Sequence, residues 1–177
     1  MTRQAFESGA TELVEAIEVL SQSQLRLPAM LVLYAGIDIM ASLDRPKSSL
    51  EVKPSDFVKW TKRYLLPGTQ LACSGEDLYA ARCGLVHTYM AESRRSRKGQ
   101  ARQIWYAWGG SSPEELQSWI DRADVPQAVA VHVDDVSAAF RLGVERFKQS
   151  LLDDSERASL VYDRARMFFG DLLCPER

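Results

Sequence analysis

The sequence predicts a single, mainly α-helical domain with a small two-stranded β element in its C-terminal half. The length of 177 residues fits one domain and is sufficient to bury a core. Apolar residues recur at helical spacing over most of the chain. Two runs rich in β-branched and aromatic residues, 103–108 and 127–133, depart from that spacing and predict strands. The pattern leaves open whether these strands are parallel or antiparallel.

Composition limits the function classes that the chain can belong to. It is 46% hydrophobic and 26% charged, and its formal net charge is −2. A chain near neutrality is not a generally basic nucleic-acid coat, so a polyanion site would have to be local. The cysteines Cys73, Cys83 and Cys174 lack metal-site spacing, and we expect them to be reduced thiols. No zinc cluster, phosphate-binding glycine loop or hydrolase elbow is found, so neither a metal nor a cofactor is predicted.

The longest apolar run, residues 27–43, contains Pro28 and Asp38. We consider it too short and too polar to span a bilayer, and the N-terminus lacks the apolar core of a signal peptide. The expected location is therefore cytoplasmic, with no membrane contact. A charge at position 38 within an apolar helix costs several kcal/mol unless it is paired, so Asp38 should have a partner.

Residues 1–91 are predicted to form a helical core. Helices are expected over 8–24 and 28–43, followed by a third that Ser55 caps and Pro67-Gly68 ends. A fourth reaches about residue 91 from Ser74, which forms a capping box with Asp77.

The remainder of the domain is divided into residues 101–133 and 134–173. The first part contains the two strands and a short helix opened by Ser112-Pro113, and the second contains two helices. Asp134 or Asp135 is expected to cap the first of these helices, and the stretch 153–155 begins the last. His132 is expected at the surface, at the end of the second strand.

The fourth helix contains the candidate site, which has the spacing R-x4-H-x-Y formed by Arg82, His87 and Tyr89. The chain has only two histidines, so acid–base chemistry near neutral pH has few candidates. His87 can donate or accept a proton, and Arg82 offers two phosphate oxygens a planar cation. Tyr89 can hold a phosphate oxygen, and Asp38 can support Arg82 or His87. Arg82 and His87 are predicted to be catalytic, and Tyr89 and Asp38 to be supporting residues.

One histidine cannot easily act as both base and acid, so a two-fold dimer that brings two motifs together is predicted. A basic stretch follows the motif and could hold an RNA backbone. The predicted RNA-binding residues are Arg94, Arg95, Arg97, Lys98 and Arg102. A solvated basic loop is an equally good interpretation of this stretch.

An R-x4-6-H motif on an inner helix of an α-helical bundle resembles the HEPN superfamily, many of whose members are metal-independent endoribonucleases of toxin–antitoxin and defence systems. The resemblance implies that Arg82 and His87 form the catalytic pair across a homodimer interface. The longer R-x4-H-x-Y form is similar to HEPN toxins that are paired with a nucleotidyltransferase antitoxin. There the tyrosine accepts adenylylation, which maps to Tyr89.

The sequence therefore predicts a HEPN-like endoribonuclease of toxin or phage-defence type that cleaves RNA by attack of the 2′-hydroxyl. Two alternatives stay open. One is a binding module of the same fold that holds a nucleotide, RNA or protein without turnover. The other is a structural helical dimer in which Arg82 forms a salt bridge with Asp38.

Overall fold

The structure is a computed structural model that describes residues 2–88 and 94–170. It confirms a mainly helical fold with a two-stranded sheet in the C-terminal half. The helices are α1 (Thr2–Gln22), α2 (Arg26–Asp44), α3 (Pro54–Trp60), α4 (Gly75–Thr88), α5 (Arg94–Arg97), α6 (Pro113–Arg122), α7 (Val133–Ser150) and α8 (Ser155–Ala165). The strands are β1 (Gln103–Ala107) and β2 (Ala128–His132). Two π-helical turns, Thr61–Leu65 and Arg166–Gly170, extend α3 and α8.

Helix α2 lies at the centre of the core, in contact with α1, α3, α7 and α8. Leu33, Tyr34 and Ile37 are fully buried. By length and composition alone α2 is apolar enough to cross a membrane, but 56% of its apolar window is buried inside the fold. Packing against neighbouring helices therefore accounts for its hydrophobicity.

An aromatic cluster joins α1, α3, the first π-helical turn and α7. Phe147 is fully buried, and its ring centroid lies 5.7 Å from that of Phe6, 6.3 Å from Trp60 and 5.2 Å from Tyr64. Arg157 covers the same cluster, with its guanidinium carbon 5.5 Å from the Phe147 ring centroid. Rings at these distances bury large areas and interact favourably edge to face, so Phe147 is a principal anchor of α7.

The two strands are parallel, which the sequence pattern leaves open. Gln103 pairs with Ala128 and Ala107 with His132, and α6 provides the crossover that a parallel pair requires. The Tyr106 hydroxyl of β1 is hydrogen-bonded to the Tyr34 hydroxyl of α2. Burial raises the pKa of both phenols, so both stay neutral and the bond ties the sheet to the core helix.

The predicted starts of α1 and α3 are wrong. Helix α1 begins at Thr2, upstream of residue 8. Ser55 does not cap α3, which follows Lys53 with Pro54 in its first turn. Lys53 donates its backbone N–H to the Asp56 carboxylate at 2.9 Å, so an acidic group three residues downstream performs the capping role.

Helix α7 is capped by His132, whereas the sequence predicts Asp134 or Asp135. The His132 Nδ1 accepts the backbone N–H of Asp134 at 3.2 Å, and its Nε2 lies 3.1 Å from the Gly109 carbonyl oxygen. With its proton on Nε2, the ring accepts from Asp134 and donates to Gly109, so both ring nitrogens are hydrogen-bonded. His132 is thus at the strand end as predicted, but its side chain is only 13% exposed because it joins β2 to the turn after β1.

We expect Phe147→Ala to lower the free energy of unfolding by about 3 to 5 kcal/mol, because a large cavity is left among the packed rings. Leu142→Ala, an exposed position on the same helix, is the control and should change it by about 0.5 kcal/mol or less. Urea denaturation followed by far-UV circular dichroism measures both. Equal losses for the two variants would contradict the central role of Phe147.

Candidate active site

The start of α4 is fixed by the capping box that the sequence predicts. The Ser74 backbone N–H donates to the Asp77 carboxylate at 2.9 Å, and the Asp77 N–H donates to the Ser74 hydroxyl at 3.2 Å. Arg102 adds three bonds to the same carboxylate: from its backbone N–H at 2.6 Å, from Nε at 3.1 Å and from Nη2 at 2.8 Å. Asp77 is therefore a buried carboxylate that joins α4 to the chain entering β1.

Desolvation acts to raise the pKa of Asp77, but the bonds from Ser74 and Arg102 outweigh it and the pKa is lowered. The Arg102 Nη2 also donates to the Ala72 carbonyl at 2.8 Å. These bonds assign a structural role to Arg102, which the sequence analysis placed among the RNA-binding residues. They leave less of its guanidinium available to a phosphate.

Arg82 projects from the middle of α4 toward α2. Its Nε lies 2.5 Å from the Asp38 Oδ2, so Asp38 has the partner that its position in an apolar helix predicts. The two side chains are 23% and 26% exposed. Desolvation opposes the charge on Arg82, but the bond to Asp38 outweighs it and raises the pKa of Arg82. The guanidinium is thus permanently charged and held in one orientation at a partly open surface.

A second guanidinium, that of Arg95, contacts the ring of Tyr79 on the same helix. The Arg95 Cζ is 5.0 Å from the Tyr79 ring centroid, which places the basic helix α5 against α4. Desolvation and a hydrogen bond with Cys83 raise the pKa of Tyr79, while the charges of Arg82 and Arg95 both act to lower it. Both arginines are therefore close enough to Tyr79 to influence its hydroxyl. The predicted basic loop is in part a helical turn packed on the motif helix.

Arg82 and Asp38 form one wall of an open pocket of about 380 Å³ between α2, α3, α4 and the turn after α8. Its polar lining is Asp38, Ser42, Lys53 and Arg82. Its apolar and aromatic lining is Ile39, Val52, Pro54, Phe57, Tyr79 and Phe168. Such a mixture of apolar walls and a few polar groups is typical of sites for small organic groups.

The other predicted site residues are described only in part. His87 is in the last turn of α4, one turn beyond Arg82, but its side chain lies outside the described part of the chain, as does that of Arg94. Tyr89 lies wholly outside the described residues. Arg97 and Lys98 are exposed. The structure thus pairs Arg82 with Asp38 and places Arg95 on the ring of Tyr79. The placement of the His87 ring beside Arg82 stays a prediction.

The structure adds three pocket residues that were not predicted from the sequence: Tyr79, Lys53 and Phe168. Tyr79 precedes Arg82 by three positions and so shares a helix face with it, a signal that was available. Lys53 and Phe168 come from distant segments, and only the tertiary fold brings them to the pocket.

The fold defines this chain as a helical domain that contains a parallel β–α–β unit. Comparison with protein-family models, curated proteins and solved structures finds no match. Within residues 2–88 and 94–170, no group of three or more His, Cys, Asp or Glu side chains is placed to hold a metal ion.

We expect Asp77→Asn to lower the free energy of unfolding at pH 7 by about 2 to 3 kcal/mol, because the charge-assisted bonds from Arg102 are lost. The pKa of Asp77 is lowered in the folded state, so its contribution is complete above the unfolded-state value of about 3.9 and is lost as pH falls through the folded-state value. The difference between wild type and variant should therefore shrink below about pH 4.

Urea denaturation at a series of pH values measures this difference. The exposed carboxylate variant Glu51→Gln serves as the control and should leave stability nearly unchanged. A difference between wild type and Asp77→Asn that stays constant from pH 7 to pH 3 would contradict the assigned role.

Proposed function

We propose that the protein is a metal-independent endoribonuclease of the toxin or defence type, with a HEPN-like active site at a homodimer interface. One observation carries the proposal: a fixed guanidinium, Arg82, lies at an open pocket on the helix that also contains His87. A second guanidinium, that of Arg95, lies over the ring of Tyr79, which precedes Arg82 by three residues on the same helix. Concentrated positive charge beside a proton-transfer group suits cleavage of a phosphodiester.

In this mechanism His87 of one protomer removes the proton from an RNA 2′-hydroxyl. The 2′-oxygen attacks the adjacent phosphorus, the bond from phosphorus to the 5′-oxygen breaks, and the second copy of His87 protonates that leaving oxygen. The products are a 2′,3′-cyclic phosphate and a 5′-hydroxyl. Arg82 stabilises the additional negative charge of the phosphorane, as a preorganised cation does for any developing oxyanion.

Asp38 acts as a positioning residue in this proposal. It binds the Nε of Arg82 at 2.5 Å and thereby fixes the plane of the guanidinium. A planar cation held in one orientation loses little further entropy when it binds two phosphate oxygens. The homodimer, the cytoplasmic location and a nucleotidyltransferase antitoxin that modifies Tyr89 remain predictions.

The same ion pair favours a second candidate, a binding module that holds RNA or a nucleotide without cleaving it. An arginine bound to a carboxylate attracts a phosphate less strongly than one surrounded only by water. This candidate predicts retention of intact RNA that weakens steeply as salt is raised. A purely structural role for Arg82 predicts instead a large loss of melting temperature in Arg82→Ala and no effect on RNA.

Wild-type protein incubated with RNA in EDTA should cleave it, and His87→Ala and Arg82→Ala should each reduce the rate by about 100-fold or more. Labelled RNA resolved on denaturing gels measures the rate, and digestion of the 3′ ends identifies the cyclic phosphate. His132→Asn keeps a capping acceptor at the other histidine, and Arg122→Ala removes an exposed arginine of α6. Both controls should cleave like wild type. Intact RNA with a large excess of wild-type protein would exclude the nuclease.

Mixed dimers test whether one site needs His87 from both protomers. Equal amounts of wild type and His87→Ala are mixed and allowed to exchange subunits. Activity should be about a quarter of that of the same total amount of wild-type protein, because only the dimers with two copies of His87 are active. Activity of about one half would show that each protomer works alone. Mixing with His132→Asn is the control and should cause no loss.

A further inference from the structure

The pocket beside Arg82 has a composition that phosphate chemistry alone does not require. A phosphodiester needs cations and hydrogen-bond donors, yet six of the ten pocket-lining residues are apolar or aromatic. Three aromatic rings, those of Phe57, Tyr79 and Phe168, reach this space from three different elements. The pocket thus combines an apolar space lined by aromatic rings with the fixed positive charge of Arg82.

Phe168 provides the accessible ring. Phe57 is buried, and it meets Tyr79 edge to face with ring centroids 5.4 Å apart. Tyr79 also has Arg95 over its ring. Phe168, by contrast, is 41% exposed at the pocket wall, where it offers a surface on which a planar group can stack.

The second π-helical turn fixes Phe168 in this position. A Cβ added at Gly9 would lie 2.3 Å from the Phe169 ring, so that ring sits directly against the glycine of α1. The neighbouring aromatic residue therefore anchors the turn to α1, while Phe168 lines the pocket. π-Helical turns of this kind are frequent at functional sites because they redirect side chains.

The charges at the same pocket fit the groups that flank a base in a nucleic acid. Arg82 and Lys53 both line it, and each can contact a phosphate oxygen while the base occupies the apolar part. A volume of about 380 Å³ accommodates one nucleobase with part of its sugar.

We propose that this pocket is a nucleobase subsite in which one unpaired base of the RNA substrate stacks on Phe168, next to the phosphate held by Arg82. This inference rests on the proposed function and specifies its substrate as single-stranded RNA. A base within a duplex is stacked on its neighbours, and turning it outward costs a few kcal/mol that a single strand does not require.

The test uses oligonucleotides with 2′-O-methyl groups at every position, which cannot undergo attack by the 2′-oxygen. Fluorescence anisotropy should show that the single strand binds at least tenfold more tightly than a blunt-ended duplex of the same length. Phe168→Ala should weaken binding of the single strand by about tenfold, the loss expected for one base stack, and Phe168→Trp should retain it. Leu142→Ala, of similar exposure on α7, is the matched control and should bind like wild type.

Stacking is measured separately with a 2-aminopurine flanked by uridines, whose emission should be quenched on binding to wild type and not to Phe168→Ala. The subsite is overturned if wild type and Phe168→Ala bind the single strand with equal affinity, or if wild type binds the single strand and the duplex with equal affinity. Because these probes cannot be cleaved, the result is independent of catalysis. If the protein stacks the base but does not cleave RNA, the subsite is upheld and the nuclease is rejected. If the protein cleaves RNA but its binding does not depend on Phe168, the nuclease is upheld and the subsite is rejected.

Discussion

A charge on an otherwise apolar core helix organises the candidate site. Asp38 lies in α2, whose other inward positions are among the most deeply buried in the protein, and a lone carboxylate there would be strongly unfavourable. Its bond to Arg82 offsets that cost and links α2 to α4. The pocket opens where this pair interrupts the apolar packing. Both the position of the positive charge and the shape of the space beside it therefore depend on one ion pair.

The elements that could be predicted from the sequence are those set by local chemistry. The Ser74–Asp77 capping box and the Ser112-Pro113 helix start occur as expected, because the groups that form them are within a few residues of one another. The partner requirement of Asp38 was also predictable, since burial of a charge imposes it. The caps by His132 and Asp56 were not, because several polar residues near each helix start compete for the same backbone N–H groups.

The site was predictable only in part for a related physical reason. Arg82 stood out because its spacing from His87 is local, whereas Phe168 enters the pocket from a segment far along the chain. The hydrophobic pattern of the sequence does not indicate a contact between such distant segments. The π-helical turn that places Phe168 at the pocket also packs against Gly9 of α1, a second contact that the pattern does not show. The strand direction was likewise undecided by pattern. It follows from the crossover helix α6, which returns the chain to the same end of the sheet.

The basic segment after α4 is attached to that helix at two points, through Arg95 on the ring of Tyr79 and through Arg102 on the carboxylate of Asp77. The two attachment sites are only two residues apart, so the chain from 95 to 102 forms a short closed loop on the surface of α4. A loop closed in this way has already lost most of its backbone entropy when the protein folds. Arg95 and Arg102 are therefore held in place by the fold itself, and a group that contacts them meets two guanidinium ions whose positions are already fixed.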